Sequence, residues 1–251
     1  MSPSASAVAG LVKPHRRGSI NRVPLHDQVA DLLRDLIVTG RLAPGEKLQI
    51  AALAEQLEVS LTPMREALKI LAEERLIDLT PNRPTVVAPV TADYAKALFE
   101  VMAGIESQAA ELAATRMTAS GKERLEELHA EMIERFEDHD DDAYFALNSR
   151  IHDLIVECAG NPILSHVRAK LALHAKRVRY VAVREGSRRD AALEEHERVM
   201  AALRDGSADE ARRAWRIHLQ NSGDEVCRIL AAEQDQHPRR KQTPKMKMNP
   251  R

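Results

Sequence analysis

The sequence predicts a mainly α-helical chain, an N-terminal winged helix-turn-helix followed by an antiparallel six-helix bundle. Three observations predict it. Aromatic residues make up only 3% of the chain while Ala and Leu abound, a mix that favours helices over strands. Leu48 to Val87 reads as two short helices joined by a tight polar turn and then a small hairpin. Residues 92–232 read as nearly continuous amphipathic helix, interrupted only by short turn signals. At 251 residues the chain has room for one large domain or two ordinary ones.

Residues 1–22 are rich in Ser, Ala, Gly and Arg without a helical stripe, and are expected to form a flexible basic arm. A helix is expected from about Leu25 to Thr39, with Val29, Leu32, Leu33 and Leu36 on one face and Gly40 as its stop. Pro44-Gly45 marks a turn. Ala51, Leu53, Ala54 and Leu57 line the next helix, and Val59 plugs the turn after it. Met64, Ala67, Leu68 and Leu71 make the stripe of the third helix. The run Ile77 to Ala88 reads as two short strands around a turn from Pro81 to Pro84. Helix, helix, helix, hairpin is the order of a winged helix-turn-helix, and residues 23–89 are assigned to it.

Thr91 is a candidate N-cap for the first helix of the bundle. Helical segments are expected at 92–116, 119–138, 140–159, 162–183, 187–205 and 208–232. The breaks carry turn chemistry, such as Gly160-Asn161-Pro162 and Asp205-Gly206-Ser207. Helices of this length with short links make an antiparallel bundle. Residues 233–251 are expected to be a basic, disordered tail.

Charge and cysteine usage narrow the class. The formal net charge is -1, so the chain is no simple polycation. Its ends differ from its middle. Residues 1–26 carry Lys13, Arg16, Arg17 and Arg22, and the segment from Gln236 carries six Lys or Arg, in both cases with no acid. Either end can lean on phosphate or remain a solvated tail. Cys158 and Cys227 both fall in apolar helical patterns, which suits a reduced, cytoplasmic setting. No run of roughly 18 apolar residues is present, so no membrane partner is expected. The basic cluster comes after the apolar N-terminal piece, the wrong order for a secretory signal.

The exposed side of the third helix begins with Ser60, Leu61, Thr62 and Arg65. Small hydroxyls and a guanidinium at the start of such a helix can reach phosphates and base edges in a DNA major groove. Ser60 and Thr62 can equally serve as helix caps.

These residues resemble the N-terminal domain of GntR-type transcriptional regulators. The marks are Gly40…Pro44-Gly45, Leu53-Ala54 with Leu57, and the specific run Thr62-Pro63-Met64-Arg65-Glu66-Ala67-Leu68. The remainder is similar to the FCD-type helical ligand-binding bundle of the FadR subgroup, the type with a metal site in its core. Its marks are Ile105-Glu106…Ala113-Ala114, Asn148-x-x-Ile151-His152, Ala159-Gly160-Asn161-Pro162, Glu195-His196, Gly206 to Ala211, and His218. The resemblance covers about residues 25–225.

The resemblance implies a DNA-binding regulator, a repressor of metabolic genes modulated by a small organic-acid effector, and not an enzyme. It places Ser60, Thr62, Arg65, Lys69, Asn82, Arg83 and Thr85 at DNA. Arg65 would read the major groove and Arg83 the wing. Two positions depart from the family pattern. Leu61 stands where an Arg is usual, and Pro84 where the wing usually has Gly. The head is not basic overall. Residues 22–87 hold eight Lys or Arg against ten Asp or Glu, so binding must rest on local clusters. One head offers a small contact area, so a homodimer on a pseudo-palindromic operator of double-stranded DNA is expected, in a bacterial, nucleoid-associated setting.

In the bundle, Asn148 and His152 share one helical face, and His196 and His218 lie on two later helices. The resemblance makes these four the ligands of a divalent ion, Zn or Ni. Asn148 replaces the usual Asp, and an amide oxygen binds a cation more weakly than a carboxylate. Met102 stands where the family often has an Arg that holds an effector carboxylate. Arg177 or Arg179 could supply that cation instead, and Glu106 and His174 are further effector candidates. Trp215 reads as packing. The rival class is a metal-dependent hydrolase in which the His-rich site activates water.

Overall fold

The computed structural model describes residues 23–183 and 189–236, with no side-chain description for 179–183, 189 and 233–236. The expected arm at 1–22 and the tail from 237 lie outside the described residues. The chain divides between Val90 and Thr91 into two compact units.

In the first unit, α1 spans Leu25–Val38, α2 Ile50–Gln56 and α3 Leu61–Glu73. α1 stops as its sequence suggests. Gly40 adopts φ 66, and Leu42 N–H donates to the Leu36 carbonyl at 2.9 Å, so a left-handed glycine closes the helix end. The α2–α3 turn uses no glycine. Glu58 takes φ 53 there, and Val59 N–H donates to the Ala54 carbonyl at 3.0 Å. The buried face of α1 (Leu33, Leu36, Ile37) and that of α3 (Met64, Leu68, Leu71) form the core of the head. Arg34 ties the two helices by a two-pronged bond to Glu74 at 2.8 and 2.7 Å.

Strands β1 (Ile77–Asp78) and β2 (Val86–Val87) pair antiparallel, Ile77 opposite Val87. Residues 45–48 add a third edge. Gly45 N–H donates to the Val87 carbonyl, Val87 N–H to Glu46, and Leu48 N–H to Thr85. The Pro-Gly turn therefore anchors the wing as well as joining α1 to α2. At the wing tip Pro81 and Asn82 hold the corners of a turn closed by Arg83 N–H on the Thr80 carbonyl at 3.2 Å, with Asn82 at φ 60. Asn tolerates that left-handed conformation better than other non-glycine residues. Two residues before Pro84, Asn82 takes the left-handed backbone position of the wing.

The second unit holds α4 (Ala92–Arg116), α5 (Ala119–Glu137), α6 (Asp141–Cys158), α7 (Pro162–Val183), α8 (Arg189–Asp205) and α9 (Ala208–Gln236). Three N-caps obey sequence logic. Thr91 Oγ1 accepts from Tyr94 N–H, Thr118 Oγ1 from Gly121 N–H, and Asp140 Oδ1 from Ala143 N–H. α9 continues to Gln236, beyond the 232 expected from its stripe. The main core joins Leu125, Leu128 and Met132 of α5 with Leu147, Ile151 and Ile155 of α6. Val199, Met200 and Leu203 of α8 and Trp215 and Leu219 of α9 complete it.

α4 and α9 form the most extensive helix pair. The buried face of α4 is rich in alanine (Ala95, Ala103, Ala109, Ala110, Ala113), which lets a neighbouring backbone come close. Gly223 of α9 marks the closest approach, since a Cβ built there would lie 2.6 Å from Phe99 Cβ and 2.8 Å from its Cγ. Phe99 Cβ is fixed to the α4 backbone and cannot rotate away. In an open helix, Gly→Ala stabilises by about 1 kcal/mol. Gly223→Ala is expected to do the reverse, with a net loss of about 1–3 kcal/mol from overpacking. Urea unfolding monitored by the fluorescence of the single tryptophan, which lies in this unit, checks it. Unchanged or higher stability would rule out the close contact.

Candidate metal centre and DNA-binding surface

Three helices of the second unit bring His152 (α6), His196 (α8) and His218 (α9) together. One ligand atom from each lies within 4.8 Å of the others, and all three residues are buried. Ring centroids are 6.0 Å apart for His152–His196, 5.6 Å for His152–His218 and 4.6 Å for His196–His218. No other group of three or more His, Cys, Asp or Glu among the described residues meets the same geometric condition.

Two of the imidazoles are held from behind by carboxylates. His152 Nδ1 lies 2.6 Å from Glu106 Oε2, and His218 Nδ1 lies 3.0 Å from Glu195 Oε2. A carboxylate at Nδ1 takes the ring's N–H, so Nε2 carries the lone pair that binds a cation. Each carboxylate is itself braced. Arg168 Nε donates to Glu106 Oε1 at 3.0 Å, and Asn221 Nδ2 donates to Glu195 Oε1 at 2.6 Å. Arg168 also pairs with Asp153 one position after His152. Burial opposes its charge, yet Glu106 and Asp153 outweigh that and raise its pKa. Three imidazoles, two of them backed by buried carboxylates, suit a borderline divalent cation on donor chemistry.

The remaining predicted residues of this unit fall out differently. Asn148 is buried one turn before His152 on α6, on the face its spacing predicts. Glu106, expected to touch an effector, has its two oxygens engaged by His152 and Arg168 instead. Met102 is buried on α4 one turn earlier. His174 packs edge-on against Tyr94, with centroids 6.0 Å apart. Tyr94 precedes Glu106 by twelve residues, about 18 Å of helix. Arg177 is buried on α7, whereas the side chain of Arg179 lies outside the described residues.

Sequence reasoning missed Arg168, Asp153 and His129. The first two are ordinary surface types by sequence, and only the crossing of α7 over α4 and α6 assembles them. His129 did carry a signal. It occupies a buried position in the stripe Leu125, Leu128, His129, Met132 of α5, where an apolar residue is usual. Its ring stacks on His196 with an interplanar angle of 9°, and burial pushes its pKa below the usual histidine range.

On the head, Ser60 is the N-cap residue of α3, but its side chain makes no capping bond. Ser60, Thr62, Arg65 and Lys69 are exposed along one side of α3, as are Asn82 and Arg83 at the wing tip. Lys69 Nζ is paired with Glu66 at 2.8 Å. Leu61, at the first turn, is 45% exposed. Thr85 corrects the expectation that it contacts DNA through its side chain. It is only 5% exposed and serves the fold, its carbonyl accepting from Leu48 N–H at 2.9 Å.

A winged helix-turn-helix head carrying an exposed reader helix, joined to a helical unit with a buried tri-histidine centre, defines a DNA-binding transcriptional regulator with a sensor domain. Family comparison agrees. Residues 25–87 match the model described as "Bacterial regulatory proteins, gntR family" and residues 97–221 match the FCD domain. The chain carries a GntR-type DNA-binding domain and an FCD domain, which imply DNA binding by the first unit and small-molecule effector binding by the second.

It is 29% identical over 213 residues to the HTH-type transcriptional repressor RspR of Escherichia coli K12, covering 84% of this chain and 93% of that one. The HTH-type transcriptional regulator LutR of Bacillus subtilis 168 is 29% identical over 208 residues, covering 75% and 95%. Among solved structures, Escherichia coli McbR/YncC superposes with a TM-score of 0.69 at 25% identity, over 84% of this chain and 99% of that chain. These regulators are not enzymes, and nothing among them favours the hydrolase alternative. No helix among the described residues is long and apolar enough to cross a membrane.

Proposed function

We propose that the protein is a metal-dependent, effector-responsive repressor of the FadR subgroup, acting as a homodimer on a pseudo-palindromic operator in the bacterial cytoplasm and nucleoid. The buried tri-histidine centre carries this reading. His152, His196 and His218, with Asn148 on the same helical face, hold a divalent ion, Zn²⁺ or Ni²⁺. Bound there, the ion supplies open coordination positions to an effector carboxylate. Glu106 and Glu195 fix the ring orientations, and Arg168 balances the Glu106 charge. The effector controls transcription only by as much as its affinity differs between the DNA-competent and DNA-released arrangements. The relative named as a repressor supports the direction of control.

On the head, Arg65 pairs with a base edge in the major groove while Ser60, Thr62 and Lys69 hold phosphates, and Asn82 and Arg83 track the adjacent backbone or minor groove. The basic ends, residues 1–22 and 237–251, add salt-sensitive phosphate contacts.

The test is an anisotropy titration of the full chain on DNA from its own promoter region, over a salt series, with light scattering for the dimer. Arg65→Ala is expected to lose about 1–3 kcal/mol of operator affinity, roughly 5- to 150-fold, and to relax base preference at one position of each half-site. Binding to random DNA with equal affinity, or a monomer on DNA, would sink the reading.

A further inference from the structure

Two buried polar atoms beside the histidine centre have no hydrogen-bond partner among the described residues, Trp215 Nε1 and His129 Nε2. They come from different helices, α9 and α5, and both adjoin the cluster, Trp215 at all three imidazoles and His129 at His196. Trp215 is fully buried at 0% exposure. Its ring centroid lies 4.4 Å from that of His152, 5.0 Å from His218 and 5.5 Å from His196. The indole therefore borders every histidine of the cluster. His129 stacks on His196 with ring centroids 6.2 Å apart.

An indole N–H can only donate. Pure packing at this position would be served by Phe or Leu, neither of which buries a donor. Leaving such a donor unsatisfied costs about 1–3 kcal/mol, and the core gains nothing in return. A ligand that brings an acceptor removes that cost only when it is bound. The acceptor must also suit a site built for a cation, which selects an anionic oxygen.

Resting on the metal-centre reading above, we infer that Trp215 and His129 are effector-recognising residues. The indole N–H donates to an oxygen of a compact carboxylate held at the tri-histidine centre, and His129 Nε2 makes a second hydrogen bond to it. The ligand class is a small carboxylate with more than one acceptor oxygen, because the centre and two side chains must share it. Trp215 thus acts in recognition as well as in the core.

The experiment uses the full chain with ¹⁵N-labelled indole. The protein has one tryptophan, so one indole N–H resonance reports the site. Zn²⁺ content is first measured by elemental analysis. Malonate, citrate and inorganic phosphate are then titrated separately. A saturable downfield shift of the indole proton with malonate or citrate is the expected result. Calorimetry should show Trp215→Phe binding that carboxylate roughly fivefold more weakly, the worth of one lost hydrogen bond, at unchanged Zn²⁺ content. Should the Phe variant fail to fold, benzothienylalanine at 215 replaces the N–H by sulfur in nearly the same shape. His129→Leu is expected to weaken binding similarly, and His129→Gln to restore part of it.

Zn²⁺-loaded protein whose indole resonance ignores all three anions overturns the inference and leaves the metal reading standing. So does a response to phosphate alone, or carboxylate affinity within twofold of wild type in Trp215→Phe. Protein that takes up no Zn²⁺ defeats the metal reading. The same indole titration on that metal-free protein then decides this inference, a saturable carboxylate shift upholding it and silence overturning it.

Discussion

Glu106→Ala is expected to destabilise the helical unit by about 3–5 kcal/mol, the usual cost of removing one member of a buried charged network. Glu106 is 0% exposed. Its loss strands the Arg168 guanidinium, which retains only Asp153, and leaves His152 Nδ1 without its 2.6 Å acceptor. Glu106→Gln should lose less, because an amide oxygen still accepts one bond. Both variants should also weaken metal binding, by about 10- to 100-fold for a residue that orients a ligand from behind. Denaturant unfolding read through Trp215 fluorescence isolates this unit, since the head has no tryptophan. A loss below about 1 kcal/mol, well under the cost of a broken buried pair, would mean the network is not formed.

His196→Ala is expected to abolish stabilisation by metal. In the wild type, Zn²⁺ at a hundred times its dissociation constant should raise unfolding free energy by about 2.7 kcal/mol. The variant should show none of that gain, and its own unfolding curve without Zn²⁺ gives the separate cost of the cavity left in the core. The pair of unfolding curves with and without Zn²⁺ checks it. An equal response in both proteins would remove His196 from the centre.

Much of the fold was legible from residues alone. The helical stripes located the elements because the apolar period is set by the helix itself, and the cap at Thr91 was legible from local hydrogen-bonding chemistry. His152, His196 and His218 were legible through family spacing, although they lie on three separate helices. What escaped depends on long-range crossing. Glu106 read as an effector contact because nothing local says that α7 delivers Arg168 to it. Thr85 was placed at DNA by the family likeness of the wing, since nothing local says that Leu48 pairs with its carbonyl and that its side chain is buried. His129 was visible as a polar intrusion in an apolar stripe, yet its meaning depends on α8 lying beside it.

The contact of Gly223 with Phe99 has a mechanical corollary for signalling. The side chain of Phe99 fills the notch that the missing Cβ leaves on α9, five residues after His218, so the two helices are pinned like a bolt in its keeper. Sliding α9 along α4 would drive neighbouring side chains into that ring. Any displacement of His218 or Trp215 along the α9 axis would thus be resisted at the contact of Gly223 with Phe99.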